Sequence, residues 1–109
     1  FIEAIIHEDK HNVDLIGSNI TLNLSKYLEH KNFKKHEITL GIRPEDFIIT
    51  TKEKSLFSVN VKSMQTMGKE IYVTATLDEN IEIMLVTSWD FNIELGDKLY
   101  LDIKNLHVF

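Results

Sequence analysis

Apolar and polar residues alternate along most of this chain, and the interruptions mark its elements. Ile2, Ala4 and Ile6 fall on one side of an opening segment. Glu8-Asp9-Lys10 is a polar turn, and Val13 to Ile16 is apolar again, which predicts a hairpin. Gly17-Ser18 punctuates the chain, after which Ile20, Leu22 and Leu24 alternate with Asn19, Thr21 and Asn23. Ser25 is placed to cap a short helix over about 25–31, with Tyr27 and Leu28 as its apolar contacts. Asn32 to His36 is a charged connector. Then Ile38, Leu40 and Ile42 alternate with Glu37, Thr39, Gly41 and Arg43, the period of a strand with one buried face. Pro44 stops that ladder because it has no N–H to donate. Glu45 and Asp46 suit the free N–H groups of a tight turn, and Phe47-Ile48-Ile49 resumes an extended run. The reading is strand, proline-locked corner, strand, with Arg43 placed to fix the corner through Glu45, Asp46 or a carbonyl.

The second half repeats the alternation. Phe57, Val59 and Val61 form one strand, which Gly68 is expected to break or kink. Ile71, Val73, Ala75 and Leu77 form the next, and Asp78-Glu79-Asn80 turns the chain into Ile81, Ile83 and Leu85. Gly96-Asp97 turns it again into Leu99, Leu101 and Ile103. Short strands at regular spacing, with one short helix among them, predict an all-β, OB-fold-like barrel of antiparallel strands. Most of the strand aromatics, among Phe1, Phe47, Phe57, Tyr72, Tyr100 and Phe109, are expected in its core.

Composition narrows the function classes. With 109 residues, no linker and no low-complexity stretch, the chain reads as a single domain, 1–109. A formal net charge of -5 gives no basic footprint for nucleic acid or anionic lipid. No apolar run approaches the ~20 residues of a membrane span, so no direct membrane insertion is expected. The chain has no cysteine, which removes thiolate chemistry and disulfides. It begins at Phe1 inside a strand, as a fragment of a longer protein would.

Four motifs, in order along the chain, carry a family resemblance. They are Leu40-Gly41-Ile42-Arg43-Pro44-Glu45-Asp46, Met67-Gly68-Lys69-Glu70-Ile71-Tyr72-Val73, Gly96-Asp97-Lys98-Leu99-Tyr100-Leu101 and His107-Val108-Phe109. Together with the opening Phe1-Ile2-Glu3 they resemble the C-terminal regulatory (TOBE, OB-fold) domain of the ATP-binding subunit of MalK-like ABC sugar importers. The resemblance implies a regulatory and dimerisation domain for import of sugars or glycerol phosphate, lacking its N-terminal nucleotide-binding domain. It implies a second ATPase subunit as partner, permease subunits reached through the missing domain, and a regulatory protein as a further partner. It also implies a cytoplasmic place at the inner face of the membrane. The chain has no G-x-x-x-x-G-K-[ST] loop, so no enzyme activity is expected of it. No cofactor is expected here; ATP and Mg belong to the missing domain.

Other chemistry is weighed against this. His7-Glu8-Asp9-Lys10-His11 matches H-E-x-x-H, whose zinc chemistry needs both histidines on one helical face. A hairpin turn does not provide that face, even with Glu29 offered as a third ligand. His30, His36 and His107 are scattered. Convergence of Arg43, Lys62 and Lys69 on one face would instead make an OB domain for a small oxyanion or an oligonucleotide. Trp89 and Phe91 flank Asp90 before the last turn and are the candidate subunit contact.

Overall fold

The computed structural model describes residues 1–9, 11–28 and 36–109. The expected alternation becomes strands β1 Ile2–Ile6, β2 Asn12–Leu15, β3 Thr21–Asn23, β4 Glu37–Gly41 and β5 Phe47–Thr50, then β6 Phe57–Met67, β7 Glu70–Asp78, β8 Ile81–Ser88, β9 Lys98–Ile103 and β10 His107–Val108. They form two five-stranded antiparallel sheets, ordered β10-β4-β1-β2-β3 and β5-β9-β6-β7-β8. The all-β architecture with one helix is therefore as expected, and OB-like in character. Helix α1 covers Ser25–Leu28; the remainder of the expected 25–31 helix, with Glu29 and His30, lies outside the described residues, as do Lys10 and 32–35 of the connector.

The chain builds most of the first sheet, crosses to the second at 42–46, completes it, and returns as β10 to pair with β4. Each sheet buries the residues its alternation selected. Ala4, Val13, Leu15, Leu24 and Leu40 are sealed in the first; Val59, Val73, Ala75, Leu85 and Leu101 in the second. Ile2, Tyr27, Leu56, Phe57, Leu77 and Leu106 pack against both cores and join them.

The structure sharpens several of these readings. Gly68 breaks the strand, the first of the two outcomes expected of it, by ending β6. It is the first loop residue of a two-residue hairpin, with φ +64°, between Met67 and its partner Glu70. A further irregularity sits within β6 at Lys62, which is unpaired between the Val61–Ala75 and Ser63–Thr74 pairs. Beyond this bulge every residue of β6, Lys62 to Met67, is exposed, which is why the alternation fades after Val61 although the strand continues. At α1, the side chain that takes an amide is that of Asn23, whose Oδ1 accepts from the Ser25 N–H at 3.0 Å. Of the aromatics, Phe47 and Phe57 meet edge to face in the second core at 6.2 Å between centroids, but Phe1 and Phe109 stand exposed.

Candidate functional site

The corner at Arg43–Asp46 carries the chain from the first sheet to the second. Arg43 is extended (φ -75°, ψ 149°), as a residue before proline prefers, and Pro44–Asp46 form one 3-10 turn closed by the Asp46 N–H donating to the Arg43 carbonyl at 2.9 Å. The outbound and returning strands are stapled through Asp46. Its carbonyl accepts from the Lys104 N–H at 2.7 Å and its carboxylate accepts from Asn105 Nδ2 at 3.1 Å. Asp46 is 8% exposed and is the one buried charged side chain among the described residues. Past Asn105, His107 pairs with Gly41 and Val108 with Leu40, and Thr39 and Phe109 exchange backbone bonds at 3.0 and 2.9 Å.

This corrects the role given to Arg43. Its carbonyl holds the turn, but its side chain is exposed and makes no ion pair or hydrogen bond among the described residues. The carboxylate of Asp46, the residue directly after Glu45, does the fixing. The sequence supplied no signal for this, because Asn105 lies 59 residues away.

Two grooves flank the corner and share Phe1, Ile42 and Pro44. One, of about 250 Å³, runs toward Glu82, Ile83 and Met84 of β8; the other, of about 330 Å³, lies between Arg43, His107 and Phe109. A third, shallow and polar, of about 520 Å³, is formed by Gly17–Asn19 and Asp78–Asn80 and is crossed by an Asn80 Nδ2 bond to the Gly17 carbonyl at 2.7 Å. The groove lined by Arg43 contains neither Lys62 nor Lys69. Lys62 reaches across the outer face to an ion pair with Glu82, and Lys69 sits in the β6–β7 turn.

Trp89 and Phe91, the candidate contact, are exposed at 62% and 43%. They lie where β8 leaves the sheet, next to the β6–β7 turn: the Trp89 N–H donates to the Lys69 carbonyl at 3.0 Å. Met67, at the same hairpin, is also exposed. Apolar side chains thus gather at the far end of the long strands.

The titrating groups that depart from ordinary values are surface fastenings and do not converge on a groove. Asp9 accepts from the amides of His11 and Asn12 and from the Asn12 side chain, which lowers its pKa to about 2. The Thr21 hydroxyl, then His7 at 2.9 Å, lower that of Asp14. Asp102 is pushed up by burial but more strongly down by the Ile103 backbone, the Tyr27 hydroxyl and Lys26 together. Tyr27 is raised, first by burial and then by Asp102; its hydroxyl lies 2.5 Å from the Ile103 carbonyl and 3.0 Å from Asp102 Oδ1. This ties α1 to β9. The H-E-x-x-H string lies on the β1–β2 hairpin, so His7 and His11 do not share a helical face, and His7 is paired with Asp14. Among the described residues no group of three metal-ligating side chains gathers.

The fold and the corner define an all-β domain of two joined sheets, built around a stapled crossing with open grooves beside it. The family model for the TOBE domain matches residues 40–109, and the chain belongs to that family. A comparison with curated proteins finds no match. Among the described residues no helix is long and apolar enough to cross a membrane.

Proposed function

We propose that this chain is the regulatory domain of the ATP-binding subunit of an ABC importer, of the branch that imports sugars or glycerol phosphate. The observation that carries the reading is the TOBE match over 40–109, which begins one residue before the Gly41-Ile42-Arg43-Pro44-Glu45-Asp46 corner and runs through the His107-Val108-Phe109 return. Two of the four motifs that resemble the MalK-like family, Leu40–Asp46 and His107–Phe109, lie on the two limbs of the stapled crossing. In this role the chain catalyses nothing and holds no cofactor. It presents a β scaffold to a second copy of the subunit at the inner face of the membrane, while the ATPase chemistry and the permease contacts belong to a nucleotide-binding domain elsewhere in the protein.

The exposed Trp89 and Phe91 support the choice of contact surface, since aromatic side chains are enriched at the centres of protein interfaces. The gene upstream of the Phe1 codon tests the transporter reading: it is expected to encode a phosphate-binding loop and ABC signature in frame, and a different domain there overturns it. Sedimentation tests the contact. The chain is expected to pair weakly as its concentration rises, and Trp89→Ala with Phe91→Ala is expected to abolish pairing while leaving the thermal midpoint in place. Pairing that survives the double substitution removes these residues from the interface.

A further inference from the structure

Every sulfur atom of the chain lies at its surface. The chain has three methionines and no cysteine. Met67, Met84 and Met64 are 54%, 47% and 37% exposed, while the buried core among the described residues is built from alanine, valine, leucine, isoleucine and phenylalanine. Methionine is a flexible filler that cores readily take up, so its confinement to the surface departs from ordinary packing. All three stand on β6 and β8, the long strands of the second sheet.

Met67 is the one placed at the candidate contact. It is the last residue of β6 and pairs with Glu70, which pairs in turn with Ser88 at the end of β8. Trp89 follows, its N–H held by the Lys69 carbonyl of the same hairpin turn. The residues of β6 before Met67 are exposed back to Lys62, so a change of polarity at its side chain disturbs no core. A thioether in contact with solvent is open to hydrogen peroxide. The sulfur lone pair attacks one peroxide oxygen; an S–O bond forms and the O–O bond breaks. The other oxygen takes up the proton of the transferred one and leaves as water. Sulfur is oxidised by two electrons and the peroxide is reduced. The product, methionine sulfoxide, is polar and is returned to methionine by sulfoxide reductases. With no cysteine present, no thiolate of the chain competes for the oxidant.

We propose that Met67 is a reversible oxidation site, whose sulfoxide switches off pairing of this end of the second sheet with a second copy of the chain. The inference rests on the contact proposed at Trp89 and Phe91 and adds its regulation. The 109-residue chain is treated with hydrogen peroxide, the oxidised methionines are located by peptide mass, and sedimentation is compared before treatment, after it, and after a methionine sulfoxide reductase with its reductant. Met67 is expected to oxidise first, with Met84 and Met64 following in order of exposure. Pairing is expected to weaken about tenfold, as burying one unpartnered polar group does, and to recover on reduction with the thermal midpoint unchanged throughout. Met67→Leu keeps an apolar side chain without sulfur. It is expected to pair as the parent chain does and to keep pairing after peroxide, whereas Met84→Leu is expected to lose pairing as the parent does. The proposal alone is overturned if Met67 is not the first methionine oxidised, if the oxidised chain pairs as tightly as the untreated one, or if Met67→Leu still loses pairing to peroxide. A chain that does not pair even before treatment overturns the contact reading, and this switch with it.

Discussion

The two sheets solve the same problem by different means. The first is made of strands of two to five residues, and much of its hydrogen bonding lies in turns: Asp9 caps the β1–β2 connection, Asp14 takes the Thr21 hydroxyl and His7, and Ser18 closes the β2–β3 turn. The second has strands of eleven, nine and eight residues at β6, β7 and β8, joined by tight turns at Gly68-Lys69 and Glu79-Asn80. Long ladders need few side-chain fastenings, whereas short strands rely on caps and on burial against a neighbour. The TOBE match, 40–109, contains the whole second sheet but only the end of β4 and β10 from the first. The first sheet is thus the more dependent partner, anchored by the crossing and by the residues shared between the cores.

The largest expected effects test whether that dependence makes the sheets one cooperative unit. Leu15 in β2 and Leu101 in β9 are both sealed, at 1% and 0% exposed. Each Leu→Ala substitution is expected to cost ~2–5 kcal/mol, through lost burial and the cavity left behind. Because Ile2, Tyr27, Leu56 and Phe57 touch both cores, both variants should unfold in a single urea transition. The fluorescence of Trp89, the chain's only tryptophan, reports on the second sheet, and far-UV circular dichroism reports on both. If Leu15→Ala shifts the dichroism but not the fluorescence, the sheets unfold separately and the comparison changes from partnership to independence.

A smaller effect is expected at the staple. Asp46→Ala leaves the Lys104 backbone bond but strips the acceptor from Asn105, and should cost ~1–3 kcal/mol, the range for leaving a buried polar partner unsatisfied. Asp46→Asn keeps an acceptor oxygen and should recover most of it. Equal losses in the two variants would mean that the carboxylate charge, not its hydrogen bond, holds the crossing.

How much of this was legible depended on whether the information was local. Period-two alternation placed the strand faces well: Ala4 and Ile6, Leu22 and Leu24, Ile81, Ile83 and Leu85 are all buried as their spacing implied. Gly96-Asp97 and Asp78–Asn80 turn where turn residues cluster. The misses involve partners distant in sequence or changes of register. Gly68 ends β6 as read, but the irregularity at Lys62 was missed because a bulge depends on the facing strand, which a single strand's pattern does not encode. Asp46 outranks Arg43 because Asn105 arrives only with the fold. Of the aromatics read as mostly core, Phe1 and Phe109 are the exceptions, meeting each other outside, over Gly41. The motifs marked the corner correctly; its fastening through Asn105 needed the return limb.

The smallest expected effect is acid sensitivity, and it divides the sheets by their fastenings. The Asp9 pKa falls from 3.8 to about 2 on folding, because the His11 and Asn12 amides and the Asn12 side chain favour its charged form; Asp14 is lowered too, chiefly by Thr21. For a lowered carboxylate, the unfolded chain binds protons first as pH drops. The stabilisation is therefore complete above about pH 3.8 and is lost as pH falls toward about 2. Both groups are exposed, so the effect is modest and belongs to the β1–β2–β3 end. Amide exchange measured across this window should show β1 and β2 losing protection before β6 and β7, whose long ladders carry them although Asp78 Oδ1 also accepts from the Asn80 N–H at the β7–β8 turn. Asp9→Asn keeps an acceptor but removes the titration, and should narrow the gap between the sheets. If β6 and β7 open first, or if the variant opens as the parent does, turn capping is not what distinguishes the two sheets in acid.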